Sequence, residues 1–362
     1  MNHATTRPPQ LAPFPVPVHF VLEGRKAAWE DLFDGSPPPD PDKIPERIVE
    51  VEECWIVQTY LRLRCASLQV TISDTFRDDA INVVSYHDLS LRDLPARPYI
   101  IATQHDAPRP EICDRNVVQN SLNVLTKTDH FIPHWPQPGL IPRDPARGTK
   151  IETLCFKGSV YNLYHAFRTP EFLAALSDQG LRLEYDVKEN AKRGDPIHWH
   201  DYAQCDLVLA VRDATERDLR LKPASKLVNA WLAGCPALVG PEPAFQELRE
   251  SPLDYFEVRT PRDVLDAVSK LRADPQLYAR MVENGRRRGA DFASARITER
   301  WYALLAGPAA SDFMRLCARR PLLRQMGRWA QFATRVPLHV HNRRRYFESR
   351  DHGYRPISDR YT

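Results

Sequence analysis

A chain of 362 residues exceeds what one ordinary core organises and suits two domains. Its 43% apolar and 27% charged residues exclude a disordered chain, and no apolar run reaches the roughly 18–20 residues of a membrane-spanning helix. A net charge of +3 excludes a nucleic-acid binder by bulk charge. The Pro- and Thr-rich stretch 1–17 lacks the apolar segment of a secretory signal. Cys54, Cys65, Cys113, Cys155, Cys205, Cys235 and Cys317 have no Cys-x-x-Cys spacing and mostly sit in apolar runs. They read as reduced, buried thiols of a cytoplasmic protein, without a zinc site.

In chain order, residues 18–23 read as a first strand, and the proline-rich segment 35–45 as a loop. Residues 46–65 carry a helical stripe of Ile48, Val51, Cys54, Trp55, Tyr60, Leu61 and Leu63. Residues 68–73, 81–86, 99–103 and 116–120 are short β-branched runs bounded by turn formers, and predict strands. Segment 132–148 holds so many prolines that neither helix nor central strand can form; it is the expected linker.

A second βα series follows. Strands are expected at 151–156, 181–187, 206–211, 236–239 and 255–258. Helices are expected at 169–177, 199–204, 223–233, 243–249, 261–272 and 275–305. The whole is an α/β chain of two Rossmann-like, doubly wound halves: 1–145, 146–310 and a basic helical extension 311–362. The default ligand site is the cleft between them, at the carboxyl ends of strands.

One stretch is specific: Leu221-Lys-Pro-Ala-Ser-Lys-Leu-Val-Asn-Ala-Trp-Leu-Ala-Gly-Cys-Pro-Ala-Leu-Val-Gly240. Pro223 suits a first helical turn, which puts Ser225 and Lys226 beside unpaired main-chain N–H groups. A helix N-terminus with a lysine is a diphosphate site. Asn229 shares their face, and Gly234 ends the helix.

The stretch resembles the donor-binding segment of bacterial GT-B glycosyltransferases, with Lys226, Leu227, Gly234 and Pro236 at matching positions. It is also similar to the Lys-Leu-x-x-Asn-Ala-Leu region of inverting fucosyltransferases. The resemblance implies a GT-B fold and a nucleotide-sugar donor, with no cofactor and no metal. It implies that Lys226 contacts the donor diphosphate. Asn229 stands where the family has a ribose-holding glutamate, and Leu221 where retaining members have another. Phe156-Lys157-Gly158-Ser159 resembles the family's glycine loop. Arg212, Lys222 and Ser225 are the expected helpers on the donor. The acceptor is expected to be a glycan, a lipid-linked sugar or a small molecule.

Two His-Asp pairs follow predicted strands: His87-Asp88 and His105-Asp106. His105 and Asp106 are the preferred acceptor-side groups, because their strand is more apolar and so more central; the choice of face between the pairs is open. His134-Trp135 reads as packing before sugar stacking. His198-Trp-His200 lacks a third metal ligand nearby. Two other classes stay in play: a non-catalytic nucleotide-sugar-binding protein on the same scaffold, and a nucleotide-sugar epimerase. A Rossmann dehydrogenase lacks its Gly-x-Gly-x-x-Gly here.

In the tail, Phe313, Leu316, Leu322, Leu323, Met326, Trp329 and Phe332 have helical spacing interrupted by Pro321. They are expected to pack back on the first domain. Arg315, Arg319, Arg320, Arg324, Arg328, Arg335 and Arg343-Arg344-Arg345 surround them. Such a segment is expected to face the anionic inner surface of a membrane, not nucleic acid.

Overall fold

The computed structural model describes residues 11–34, 36–89, 98–187 and 197–351. Residues 1–10 of the N-terminal stretch, Gly35 of the proline loop and 352–362 of the tail lie outside the described residues. The chain divides into two compact units. One runs to Ile132 and takes in Ser294–Arg350; the other is Pro133–Ala293.

Among the described residues the first unit is built on six parallel strands. They are β1 (Val18–Val21), β2 (Thr71–Ser73), β3 (Ile81–Ser85), β4 (Tyr99–Thr103), β5 (Arg115–Val118) and β6 (Asp129–Phe131), in the order β2-β1-β3-β4-β5-β6. Strands β3 and β4 are buried at every residue, as a parallel sheet covered on both faces requires. The helix expected over 46–65 starts later. Pro45–Arg47 is a single 3-10 turn, and a wide π turn, Glu53–Val57, leads into α1 (Gln58–Cys65). The Glu53 carboxylate accepts the N–H groups of Val49 at 2.9 Å and Glu50 at 2.8 Å, which caps the helix there instead of at residue 46.

Among the described residues the second unit has five parallel strands and six α-helices: β7 (Thr153–Gly158), α2 (Pro170–Asp178), β8 (Arg182–Val187), β9 (Leu207–Ala210), α3 (Glu216–Leu221), α4 (Ser225–Ala233), β10 (Ala237–Val239), α5 (Pro243–Glu247), β11 (Phe256–Glu257), α6 (Pro261–Ala273) and α7 (Pro275–Gly289). The strand order is β11-β10-β9-β7-β8. Side chains alternate across this sheet and make two cores. Leu154, Phe156, Leu207, Leu209 and Leu238 pack with α2, α6 and α7. Cys155, Val208, Ala210, Ala237 and Val239 pack with α4 and α5. Helix α3 was not anticipated, although Thr215 caps it by accepting the Asp218 N–H. The helix expected at 199–204 is absent: Ile141 and Asp201 form a bridge instead, and the Asp201 carboxylate accepts the Ala203 N–H. The proline-rich 133–143 segment is extended against this unit, with Trp135 buried.

The helix expected over 275–305 is two. A 3-10 turn, Ala290–Phe292, and an extended Ala293 break it, and α8 (Ser294–Leu304) belongs to the first unit. A π turn, Leu305–Ala309, then leads to α9 (Ala310–Cys317) and, beyond a break before Pro321, to α10 (Pro321–Asp351). Phe313 and Phe332 are buried as expected, and Phe332 covers the Val21, Val84, Ile100 and Ala102 face of the first sheet. Leu322, Leu323, Met326 and Trp329 instead face solvent, which corrects the packing expected of them. The cause is the inner face of α10: Arg328, Phe332, Arg335, His339, Asn342 and Tyr346 recur at steps of four and three and hold the sheet, turning the other apolar residues outward.

Candidate functional site

In the second sheet the chain leaves β7 toward β8 and then returns to β9 on its other side. Such a switch point opens a crevice at the carboxyl ends of the two strands. Gly158 ends β7, Arg212 follows β9 by two residues, and Glu242 follows β10 by three. These positions, with the start of α4, meet around Lys226.

Helix α4 opens at Ser225, later than the expected Pro223. Ala224 is the N-cap and offers no side chain to the first-turn N–H groups. Gly234, at φ 75°, ends the helix as expected. Lys226 is half-buried in the first turn. Its Nζ donates to the Lys157 carbonyl and lies 4.7 Å from the centre of the Phe156 ring. The space it occupies exists because residue 158 is glycine: at φ 147° a side chain is disfavoured, and a Cβ would collide with the Lys226 Nζ.

The neighbouring Arg212 is buried, paired with the Glu242 carboxylate, and donates to the Pro223 carbonyl at 3.3 Å. Its guanidinium lies 5.5 Å from the Phe245 ring centre. Burial foremost, then the Arg212 charge, brings the Lys226 ammonium down to about pKa 7; Glu242 opposes the shift and Lys222 adds to it. Burial also pushes the Glu242 carboxyl up, against the pull of Arg212. Arg212 and Lys226 thus act on one buried carboxylate, with Lys222 adding further positive charge near Lys226, a setting that favours an anion.

The other expected donor residues fall as follows. Ser225 is the first residue of α4, and Lys222 closes α3. Lys157 supplies its main chain to Lys226; its ammonium pairs with Asp186 at 3.2 Å and donates to the His198 carbonyl at 2.9 Å. Asn229 is buried, and its Oδ1 accepts the Gln137 N–H at 3.1 Å, fastening α4 to the extended segment. Glu242 was missed. Its signal was an acid directly after Gly240-Pro241, at the end of an apolar strand.

In the first unit the corresponding switch lies between β1 and β3. There the Asp88 carboxylate accepts the N–H groups of Glu23 at 3.2 Å and Gly24 at 3.0 Å, and is occupied in fastening that loop. Burial raises its pKa. His87 is exposed. His105 is buried at the end of β4, its ring parallel to Trp55 at 6.2 Å and 5.5 Å from His87. Its Nε2 lies 2.7 Å from Thr103 Oγ1. With φ 47°, it is one of two non-glycine residues with positive φ among the described residues, the other being Ser67. Asp106 accepts from Gln119 Nε2 at 2.6 Å, and its carbonyl accepts from the Tyr346 hydroxyl at 2.7 Å.

No family model matches the sequence, and no curated protein matches it. Solved structures do. The fold is similar to that of sucrose-phosphate synthase from Thermosynechococcus elongatus, at 12% identity and a TM-score of 0.53, over 80% of this chain and 98% of that one. It is also similar to a glycosyltransferase from Rickettsia africae, at 7% identity and a TM-score of 0.50, over 83% and 99%. The chain has the GT-B fold. Within that fold the carboxyl ends of β7, β9 and β10 are where the second unit gathers its cations.

Proposed function

We propose that the chain is a glycosyltransferase and that its second unit binds the diphosphate of a nucleotide-sugar donor. The observation that carries this reading is Lys226: an ammonium held over Gly158 in the first turn of α4, its pKa lowered by burial and by the neighbouring Arg212 charge. That two proteins of similar fold are a sucrose-phosphate synthase and a glycosyltransferase agrees with that reading in kind.

In the reaction an acceptor hydroxyl oxygen bonds to the anomeric carbon, and the bond from that carbon to the diphosphate oxygen breaks. The nucleoside diphosphate leaves with the electron pair. Lys226, Arg212 and the α4 N–H groups stabilise the charge that develops on it. The hydroxyl proton passes to a base, for which His105 is the candidate. Its positive φ is backbone strain of the kind retained at functional positions. Asp106 holds the loop beside it through Gln119. Asn229 orders the donor wall through Gln137, a role in which a glutamate is not needed.

The test is donor turnover with purified protein and a panel of acceptors. Lys226→Ala should lower kcat/KM about 30- to 1000-fold, the effect of losing one preorganised donor. His105→Asn, which tolerates the left-handed backbone, should lower transfer about 100-fold or more and leave nucleotide-sugar binding intact. Binding without any transfer would favour a non-catalytic binding protein. Conversion of the donor without acceptor would favour an epimerase.

A further inference from the structure

Helix α10 has an outer face with no counterpart in the fold. Leu322, Leu323, Met326 and Trp329 are 76%, 61%, 68% and 53% exposed, more than Leu338, Val340 and Phe347 further along the helix, whereas Phe332 and Tyr346 are buried. Arg319 and Arg320, both exposed, stand immediately before them at the break between α9 and α10. From Ser311 to Phe347 the sequence has nine arginines and one acid, Asp312. That acid already pairs with Arg115 and Arg315. Of the nine, Arg328 and Arg335 turn inward, to Asp114 and the Cys113 carbonyl. The outer face is therefore apolar at its centre and cationic at its margin.

We propose that this face docks on an anionic lipid bilayer. The charge is complementary to phosphate headgroups, and leucine, methionine and tryptophan are the residues that settle at the boundary of headgroup and acyl chain. The helix lies along the surface: among the described residues no helix is long and apolar enough to cross a membrane. A second copy of the chain fits less well, because a two-fold contact through this patch sets arginine against arginine. A nucleic acid has no use for the exposed leucines. The docking does not depend on what the second unit binds, so failure of either reading leaves the other standing.

The experiment is flotation of the full chain with phosphatidylcholine vesicles, with and without phosphatidylglycerol, at low and high salt. The protein should float with the anionic vesicles only, and salt should release it. Replacing Arg319 and Arg320 by Ala should lower the partition coefficient about 30-fold. Leu323→Ser with Trp329→Ser should lower it too, with an unchanged melting temperature because both side chains are exposed. Equal flotation with neutral vesicles would overturn the proposal. So would wild-type flotation by the arginine variant, a dimer broken by Trp329→Ser without vesicle binding, or binding to duplex RNA alone.

Discussion

Lys226 carries a consequence that can be measured without knowing the sugar. Its ammonium, ordinarily near 10.5, titrates at about 7 in the folded, unliganded protein. The unfolded chain therefore holds more protons than the folded one between those values, and stability from this group rises with pH across that window. Lys226→Met should remove that slope, and should gain stability over the wild type below about pH 7, where the buried charge is most costly. A bound diphosphate reverses the shift. The phosphodiester oxygens of a nucleotide sugar do not titrate here, so binding should take up a proton between pH 7 and 10.5 and weaken as pH rises. Calorimetry in buffers of different ionisation heat reads that proton directly. Lys226, Arg212 and Lys222 were legible as a cation group from the sequence, because helix start and charge coincide there. Glu242, the carboxylate that pairs with Arg212, was not: it is thirty residues beyond Arg212, and only the parallel pairing of β9 with β10 brings the two strand ends together.

At the scale of elements, the Arg212–Glu242 pair joins the loops after β9 and β10 in a buried setting. Glu242→Gln should destabilise the protein by about 3–5 kcal/mol, since it leaves a buried guanidinium without its partner. A donor diphosphate supplies a new partner, so the thermal shift on adding nucleotide sugar should be larger in this variant than in the wild type. An unchanged shift would mean that Arg212 does not reach the ligand. The strands of both sheets were close to their expected positions except β6, whose short half-buried Asp129–Phe131 was not anticipated; buried parallel strands such as β3 and β4 are the ones that read as continuous apolar runs. Helix boundaries were less legible. The start of α1 depends on the Glu53 carboxylate folding back on Val49 and Glu50, and the split between α7 and α8 on the change of unit at Ser294. Tertiary partners of this kind leave little trace in periodicity.

At the scale of the molecule, the first unit is closed by the far end of the chain. Arg328 of α10 donates to both oxygens of Asp114 and to the Pro98 carbonyl, while the same carboxylate accepts the Ile100 N–H at 2.9 Å. Arg328→Ala should cost about 1–3 kcal/mol, because the half-buried Asp114 carboxylate loses its charged partner while keeping the Ile100 N–H. Calorimetry should show it as an earlier transition of the first unit, with the proposed nucleotide binding of the second unit unaltered. The apolar spacing of the tail was legible, but not which residues face the sheet: arginine and histidine, through hydrogen bonds to main chain, outcompeted leucine for the inner face. The measurement that bears most directly on the central claim is equilibrium binding of uridine-, guanosine-, adenosine- and thymidine-diphosphate sugars to the wild type and to Lys226→Ala by titration calorimetry. One base should bind the wild type with a saturable isotherm and proton uptake, and at least about 30-fold more weakly in the variant. No binding by any of the four, or equal binding to both proteins, would contradict the account.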